Sequence, residues 1–245
     1  MQSIAIIQAR MGSTRLPGKV LSKIKGKPMI VHIFDRLKKC QEVDHIILAT
    51  SNLIQDKPLL DLAKTEGVQS FAGSEQDVLD RYYQAARQYK PNRVIRITGD
   101  CPIIDPQITD LVIKRHVEKK SDYTSNTVVR SYPRGLDTEV MTFVTLEKAA
   151  KEAQKPYERE HVTPYIYEHP ESFSIEQVCA EPHRHQPNLR LTVDTPEDLE
   201  LIQEIFNHLY DSDPYFSVDA VLNLMKQQPK LNKINEHIKQ KMVIR

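Results

Sequence analysis

Three cations on a glycine-bearing loop, and two aspartates far downstream, are the residues of this chain whose types and placement could do chemistry. The loop is Gln8-Ala9-Arg10-Met11-Gly12-Ser13-Thr14-Arg15-Leu16-Pro17-Gly18-Lys19, and it follows directly on the apolar run Ile4-Ala5-Ile6-Ile7. A buried strand that ends in such a loop suits a polyphosphate, because glycine lets backbone N–H groups approach closely and the cations neutralise charge. It is not a P-loop: five residues separate Gly12 from Gly18, one more than that motif allows, and Val20 stands where Ser or Thr belongs. The Gly-x-Gly-x-x-Gly of dinucleotide folds is absent too. What remains is Arg-x-x-x-x-Arg-x-x-x-Lys, in which Arg10, Arg15 and Lys19 can converge on a triphosphate; taken alone, the loop reads equally as a basic surface turn.

The aspartates stand in Thr98-Gly99-Asp100-Cys101-Pro102 and Val193-Asp194-Thr195-Pro196-Glu197-Asp198. Each ends a predicted strand, where a chelating carboxylate would face bound phosphates. Magnesium takes one or two protein carboxylates and completes its octahedron with phosphate oxygens and water. Singly, Asp100 reads as a turn residue and Asp194 as a helix cap, with Thr195 a second cap candidate. His161 and the cluster His183-Arg184-His185 lack the spacing of a helical metal site. Asp137 and Glu139 follow Gly135 at a strand start, where they could hold substrate hydroxyls or be solvated.

The elements that must position these residues alternate. Strands are predicted at 4–7, 44–50, 68–71, 93–98 and 122–126. Between them lie helices over Pro28–Lys39 and Leu59–Glu66, one capped by Ser74 and running to Tyr89 with Glu75 and Asp77 in its first turn, and one over Pro106–Lys119. The second half is less regular: a strand at Thr138–Val144, helices at Leu146–Ala153 and Arg159–Glu168, strands at Phe173–Val178 and Leu189–Val193, a helix from Asp194 to Tyr210, and an amphipathic helix in the tail from Val218. This β-α-β-α pattern predicts an α/β fold with a mostly parallel central sheet sandwiched by helices. Ligands of such sheets bind beyond the carboxyl ends of the strands, the edge to which both Arg10–Lys19 and Asp100 belong.

The 245 residues suffice for one core, and no composition break divides them. The formal charge of +1 gives no sign of a nucleic-acid or membrane-surface partner, so anion binding must be local. Cys40, Cys101 and Cys179 are scattered and odd in number, which fits small buried hydrophobes in a reduced cytoplasmic protein. The N-terminal apolar run is too short for a signal peptide or a membrane span. Of 7 glycines, five (Gly12, Gly18, Gly73, Gly99, Gly135) fall in the segments singled out here, a concentration that predicts special backbone geometry there.

Several stretches together carry a resemblance: Ala9 to Lys19, Gly73-Ser74-Glu75-Gln76-Asp77-Val78-Leu79, Thr98 to Pro102, Tyr132-Pro133-Arg134-Gly135-Leu136-Asp137-Thr138-Glu139-Val140, Arg159-Glu160-His161-Val162-Thr163-Pro164-Tyr165 and Val193 to Asp198. In this order, from residue 1 to about 210, the chain resembles the sugar cytidylyltransferases that activate KDO and nonulosonic acids, and most nearly their spore coat polysaccharide biosynthesis branch. The resemblance implies a nucleotide-diphospho-sugar transferase (Rossmann-like, GT-A-like) fold, CTP and an acidic sugar as substrates, Mg2+ as cofactor, a cytoplasmic homodimer and a role in polysaccharide biosynthesis. It places Arg10, Arg15 and Lys19 on the triphosphate and Asp100 and Asp194 on the metal, with Asp100 and the three cations catalytic. Ala9, Gly12, Ser13, Gly73, Ser74 and Asp77 would lie at the nucleotide, and Arg134, Asp137, Glu139 and His161 at the sugar.

One nucleotidyltransferase domain over 1–245 is expected, with a nucleotide half at 1–120, a sugar-binding and dimerisation half at 121–210 and a helical tail at 211–245. Relatives that activate KDO carry different residues after the Gly-Asp pair, so the identity of the sugar does not carry over. Transfer from another nucleoside triphosphate, or to a phosphorylated acceptor, would keep the same loop and acids. A glycosyltransferase or nucleotide-sugar binding protein on the same fold would have no triphosphate for the basic loop to neutralise.

Overall fold

Ile4, Ala5, Ile6 and Ile7 are fully buried because the strand they form, β1 (Ser3–Gln8), runs through a seven-stranded sheet covered on both faces. The structure is a computed structural model and describes residues 2–240. A small antiparallel hairpin, β2 (Lys23–Ile24) and β3 (Lys27–Pro28), follows, then α1 (Met29–Leu37), β4 (His45–Ser51), α2 (Lys57–Thr65), β5 (Gln69–Gly73), α3 (Val78–Arg87), β6 (Arg93–Thr98) and α4 (Pro106–Lys119). The second half adds β7 (Tyr123–Ser125), β8 (Glu139–Thr142), α5 (Phe143–Glu152), α6 (Pro156–His161), α7 (Pro164–Tyr167), β9 (Ile175–Gln177), α8 (Pro196–Leu209) and α9 (Val218–Gln227).

The large sheet has the order β5-β4-β1-β6-β8-β7-β9. Its pairs are parallel except those that β8 makes with β6 and β7. The chain leaves β1 toward β4 and β5 on one side and returns to place β6 on the other, so the crevice beyond the carboxyl ends of β1 and β6 is a topological switch point. Alternate residues of β1 feed opposite cores. Ala5 and Ile7 pack with α1, α2, α4, α8 and α9, while Ile4 and Ile6 pack with α3, α5 and α7. Each such isoleucine, fully buried, stabilises the fold by roughly 1.5–3 kcal/mol, which fixes the strand from which the basic loop springs.

Several elements differ from the expectations, each for a local reason. Asp77, not Ser74, caps α3: its carboxylate accepts the Asp80 N–H at 2.9 Å, while Ser74 Oγ accepts the Asp77 N–H at 3.0 Å. The helix therefore begins after Glu75 and Asp77, and Asp80 is the acid of its first turn. The segment 159–168 is not one helix; Val162 at φ 74° and Pro164 split it into α6 and α7. Residues 189–193 form no strand of the sheet. Their backbone groups pair with Arg134 (Leu191 N to Arg134 O, 2.8 Å) and with Asp100 (Val193 N to Asp100 O, 2.8 Å), leaving one isolated bridge between Arg134 and Arg190. Cys40 and Cys101 are buried, but Cys179 is exposed, just past β9 where the chain has left the sheet.

Gly135 is where these segments meet. It adopts φ +102°, and a Cβ there would lie 2.5 Å from Leu191 O, so the close approach of the two backbones requires glycine.

Candidate active site

The loop after β1 is folded by its own backbone before any ligand arrives. The N–H groups of Ser13 and Gly18 both donate to Met11 O, at 2.9 and 3.0 Å, and Gly18 at φ 69° leads into the short helical turn Lys19–Leu21. Asp56, fully buried, accepts from Met11 N at 2.7 Å and ties the start of the loop to the end of β4. Gly99, at the end of β6, lets β1 approach: a Cβ there would fall 2.8 Å from Gln8 O and from Ala9 Cβ.

The geometry gathers Lys19, Asp100 and Asp194 at one point. Lys19 Nζ lies 2.8 Å from Asp194 Oδ1 and 3.4 Å from Asp100 Oδ2, and donates to Val193 O at 2.6 Å. The Val193 N–H bond to Asp100 O holds the two acids' backbones together. Asp194 does not cap α8. Thr195 does, in a reciprocal pair with Asp198, which frees the Asp194 carboxylate for Lys19, for Arg15 at 3.0 Å and for Arg190 at 2.6 Å. Burial by itself would raise the pKa of Asp194; Lys19, Arg190 and Arg15 outweigh it and hold the group below the usual carboxylate value. Burial likewise opposes the charge on Lys19, and Asp100 and Asp194 outweigh it, so Lys19 is held above the ordinary lysine value.

Two cavities meet at this cluster. One, of about 320 Å³, is lined by Ala9, Arg10, Ser13, Arg15, Lys19 and Asp100, with Arg81 from α3 on its wall. The other, of about 830 Å³, is lined by Arg130, Arg134, Asp137, Glu139 and Thr192. Gln8, Arg15, Thr98, Asp100, Glu160, His161 and Asp194 line both. One cavity thus belongs to the basic loop and the other to the second half of the chain, with the two aspartates on their common wall.

The remaining expected residues sit differently. Gly12, Gly73 and Ser74 lie outside both linings. Asp77 is engaged by Arg159, whose Nε lies 3.0 Å away, and faces a neighbouring recess with Arg10 and Glu75. Asp137 pairs with both terminal nitrogens of Arg130. Glu139 is buried, and its carboxylate accepts from Arg96, Tyr123 and Thr163, which leaves it little capacity for a sugar hydroxyl. Arg134 makes no side-chain ion pair among the described residues and faces the larger cavity. In the cluster at 183–185, Arg184 holds Asp219 at 2.6 Å.

Two site residues escaped the sequence reading. Arg81 is 2 % exposed, donates to Ser74 O at 2.6 Å and leaves its Nε unpartnered. Gln8, on the wall shared by the cavities, carries a buried Oε1 with no hydrogen-bond partner among the described residues. A cation inside an amphipathic helix and an amide at a strand end have no distinctive pattern; only the cavity marks them.

The donor set fits magnesium. Asp100 and Asp194 lie on either side of the Lys19 ammonium, with Arg15 and Arg190 also on Asp194, and no group of three His, Cys, Asp or Glu among the described residues could hold a metal on its own. Two carboxylates that await phosphate oxygens are the usual protein share of a magnesium site.

A mostly parallel sheet with a basic loop and paired acids at its switch point defines an α/β protein of the nucleotidyltransferase fold. The chain belongs to the cytidylyltransferase family, whose family model matches residues 4–238. It is 34% identical over 229 residues to the spore coat polysaccharide biosynthesis protein SpsF of Bacillus subtilis, covering 91% of this chain and 94% of that protein. A solved cytidylyltransferase from Leptospira borgpetersenii is similar over 100% of both chains, with TM-score 0.89 and 33% identity. A CMP-2-keto-3-deoxy-manno-octonic acid synthetase complexed with CTP shares the fold with TM-score 0.64, at 19% identity over 84% of this chain and 99% of that one. No helix among the described residues is long and apolar enough to cross a membrane.

Proposed function

We propose that the protein transfers CMP from CTP to a hydroxyl of an acidic sugar, releasing pyrophosphate, in surface polysaccharide biosynthesis. The observation that carries this reading is the common wall: Asp100 and Asp194 stand where the cavity of the basic loop opens into a second cavity large enough for a sugar acid. The two compartments suit a triphosphate and an acceptor that must meet in line. The synthetase complexed with CTP among the similar structures supports CTP and an acidic sugar as the pair, and SpsF supports the place in polysaccharide biosynthesis.

The acceptor hydroxyl would attack the α-phosphorus as the bond to the leaving pyrophosphate breaks, so alignment and charge stabilisation dominate catalysis. Arg10, Arg15, Lys19 and Arg81 would bind the triphosphate and neutralise the charge that grows on the leaving oxygens. Arg134, which makes no side-chain ion pair among the described residues and faces the larger cavity, would receive the sugar's carboxylate. Asp100 and Asp194 would hold magnesium, which when bound supplies a fixed positive charge beside the α-phosphate.

The test is incubation with CTP, magnesium and a panel of acidic sugars, followed by mass detection of a CMP-sugar. Formation of one with pyrophosphate supports the reading. Turnover only with another nucleotide, or with a sugar phosphate, overturns it.

A further inference from the structure

His161 lies on the wall that the two cavities share, at the end of α6, and its position is fixed from every side. At the start of α6, Glu158 accepts the N–H groups of Gln154 and Lys155 at 3.1 and 3.0 Å. Along its flank, Arg159 grips Asp77, the cap of α3. Beyond it, Thr163 donates its N–H to His161 O at 2.9 Å across Val162, whose φ 74° and ψ −54° make a three-residue γ-turn of the rare, strained hand. Thr163 Oγ1 then anchors on Glu139 at 2.7 Å.

A buried β-branched residue does not adopt that conformation unless its surroundings impose it, and such outliers cluster at functional sites. What the turn achieves is to stop α6 so that the imidazole enters the junction between the cavities. That imidazole has no hydrogen-bond partner among the described residues, although Arg159 and Thr163 beside it are both engaged.

We infer that His161 accepts the proton of the acceptor hydroxyl during transfer. The inference rests on the reading under Proposed function and supplies what that reading lacks, a base. As the acceptor oxygen forms its bond to the α-phosphorus, its O–H proton passes to an imidazole nitrogen. The α–β bridging P–O bond breaks with its electron pair on the departing pyrophosphate. No redox partner is needed.

The ring's charge state suits the role. Burial lowers the pKa of His161; Glu160 on its own helix raises it and Arg96 of β6 lowers it. Around the shared space, Arg81 of α3 and Arg15 of the loop face it, as do Asp100 and Asp194, which are held on Lys19. Glu139 of β8 is neutralised by Arg96. The net result is a neutral ring near pH 7, free to accept a proton.

The experiment compares wild type with H161Q and H161A, using CTP, magnesium and whichever of 3-deoxy-manno-octulosonate or an N-acylneuraminate the wild type converts. For H161Q the expected result is a fall in kcat of roughly a hundredfold or more. KM for CTP and the thermal midpoint should be unchanged, and the fall of wild-type kcat toward acid pH should be lost. Added imidazole should restore part of the H161A rate, a readout that a merely structural role would not move. An active wild type beside an equally active H161Q, or one that keeps the acid limb, overturns the inference alone. A wild type that converts neither sugar overturns the reading beneath it as well.

Discussion

The ammonium of Lys19, on the loop after the first strand, lies 2.8 Å from the carboxylate of Asp194, 175 residues further along the chain. This pair joins the two motifs that carry the chemistry. It also makes Asp194 an acid held by three cations, with Arg15 and Arg190 on its other oxygen.

Replacing either acid should stop the reaction without unfolding the protein. Asp100→Asn and Asp194→Asn are expected to lose at least about a hundredfold in pyrophosphate release, the scale of removing a preorganised electrostatic partner, with unchanged circular dichroism. Lys19→Ala should raise KM for CTP and lower kcat together. Near wild-type kinetics in both acid variants would refute the metal assignment.

The same pair makes stability depend on pH. Because the pKa of Asp194 is depressed in the folded protein, its ionised form contributes stability that is complete above the unfolded value of about 3.9. That contribution is lost as pH falls through the lower folded value. Lys19, whose folded pKa is raised, contributes below its unfolded value and loses that contribution only as pH rises through the raised one. The difference in urea midpoint between wild type and Asp194→Asn should therefore shift against wild type on going from neutral pH to below about pH 4. A difference constant across that range would contradict the pairing.

Arg81 should bind nucleotide although no motif contains it. Its Nε, buried on the wall of the loop's cavity, has no partner among the described residues. A charge-assisted hydrogen bond is worth about 1.5–3 kcal/mol, so Arg81→Met should raise KM for CTP on the order of ten- to a hundredfold. Steady-state kinetics with CTP varied would show it, and an unchanged KM would remove Arg81 from the site.

Glu139 should act as a structural acid. It is 4 % exposed and binds Arg96, Tyr123 and Thr163, so Glu139→Ala leaves the Arg96 guanidinium buried without its counterion. The expected loss is about 3–5 kcal/mol, measurable by chemical denaturation. A loss below about 1 kcal/mol with a large rise in sugar KM would instead return Glu139 to substrate binding.

Local features of the chain were legible without a structure. The run Ile4–Ile7 is apolar at every position because helices cover both faces of its strand, and the buried Ile47, Leu48 and Ala49 of β4 and Val94, Ile95 and Ile97 of β6 follow the same logic. The glycines at 99 and 135 mark close backbone approaches, as their scarcity suggested. The order of motifs along the chain pointed to the family whose model spans residues 4–238.

What the sequence by itself determined, then, is the layered α/β fold, its family and the identities of the loop cations and paired acids, because each is written in contiguous residues. Which polar groups remain available was decided by the tertiary structure alone. Asp77 is taken by Arg159, Asp137 by Arg130 and Glu139 by Arg96, while Asp194 is released because Thr195 caps the helix in its place. Val193 reaches Asp100 through a backbone bond that no periodicity announces. The physical reason is that a charged side chain is a site or a strut according to its nearest partner in space, and most of these partners lie tens of residues away along the chain.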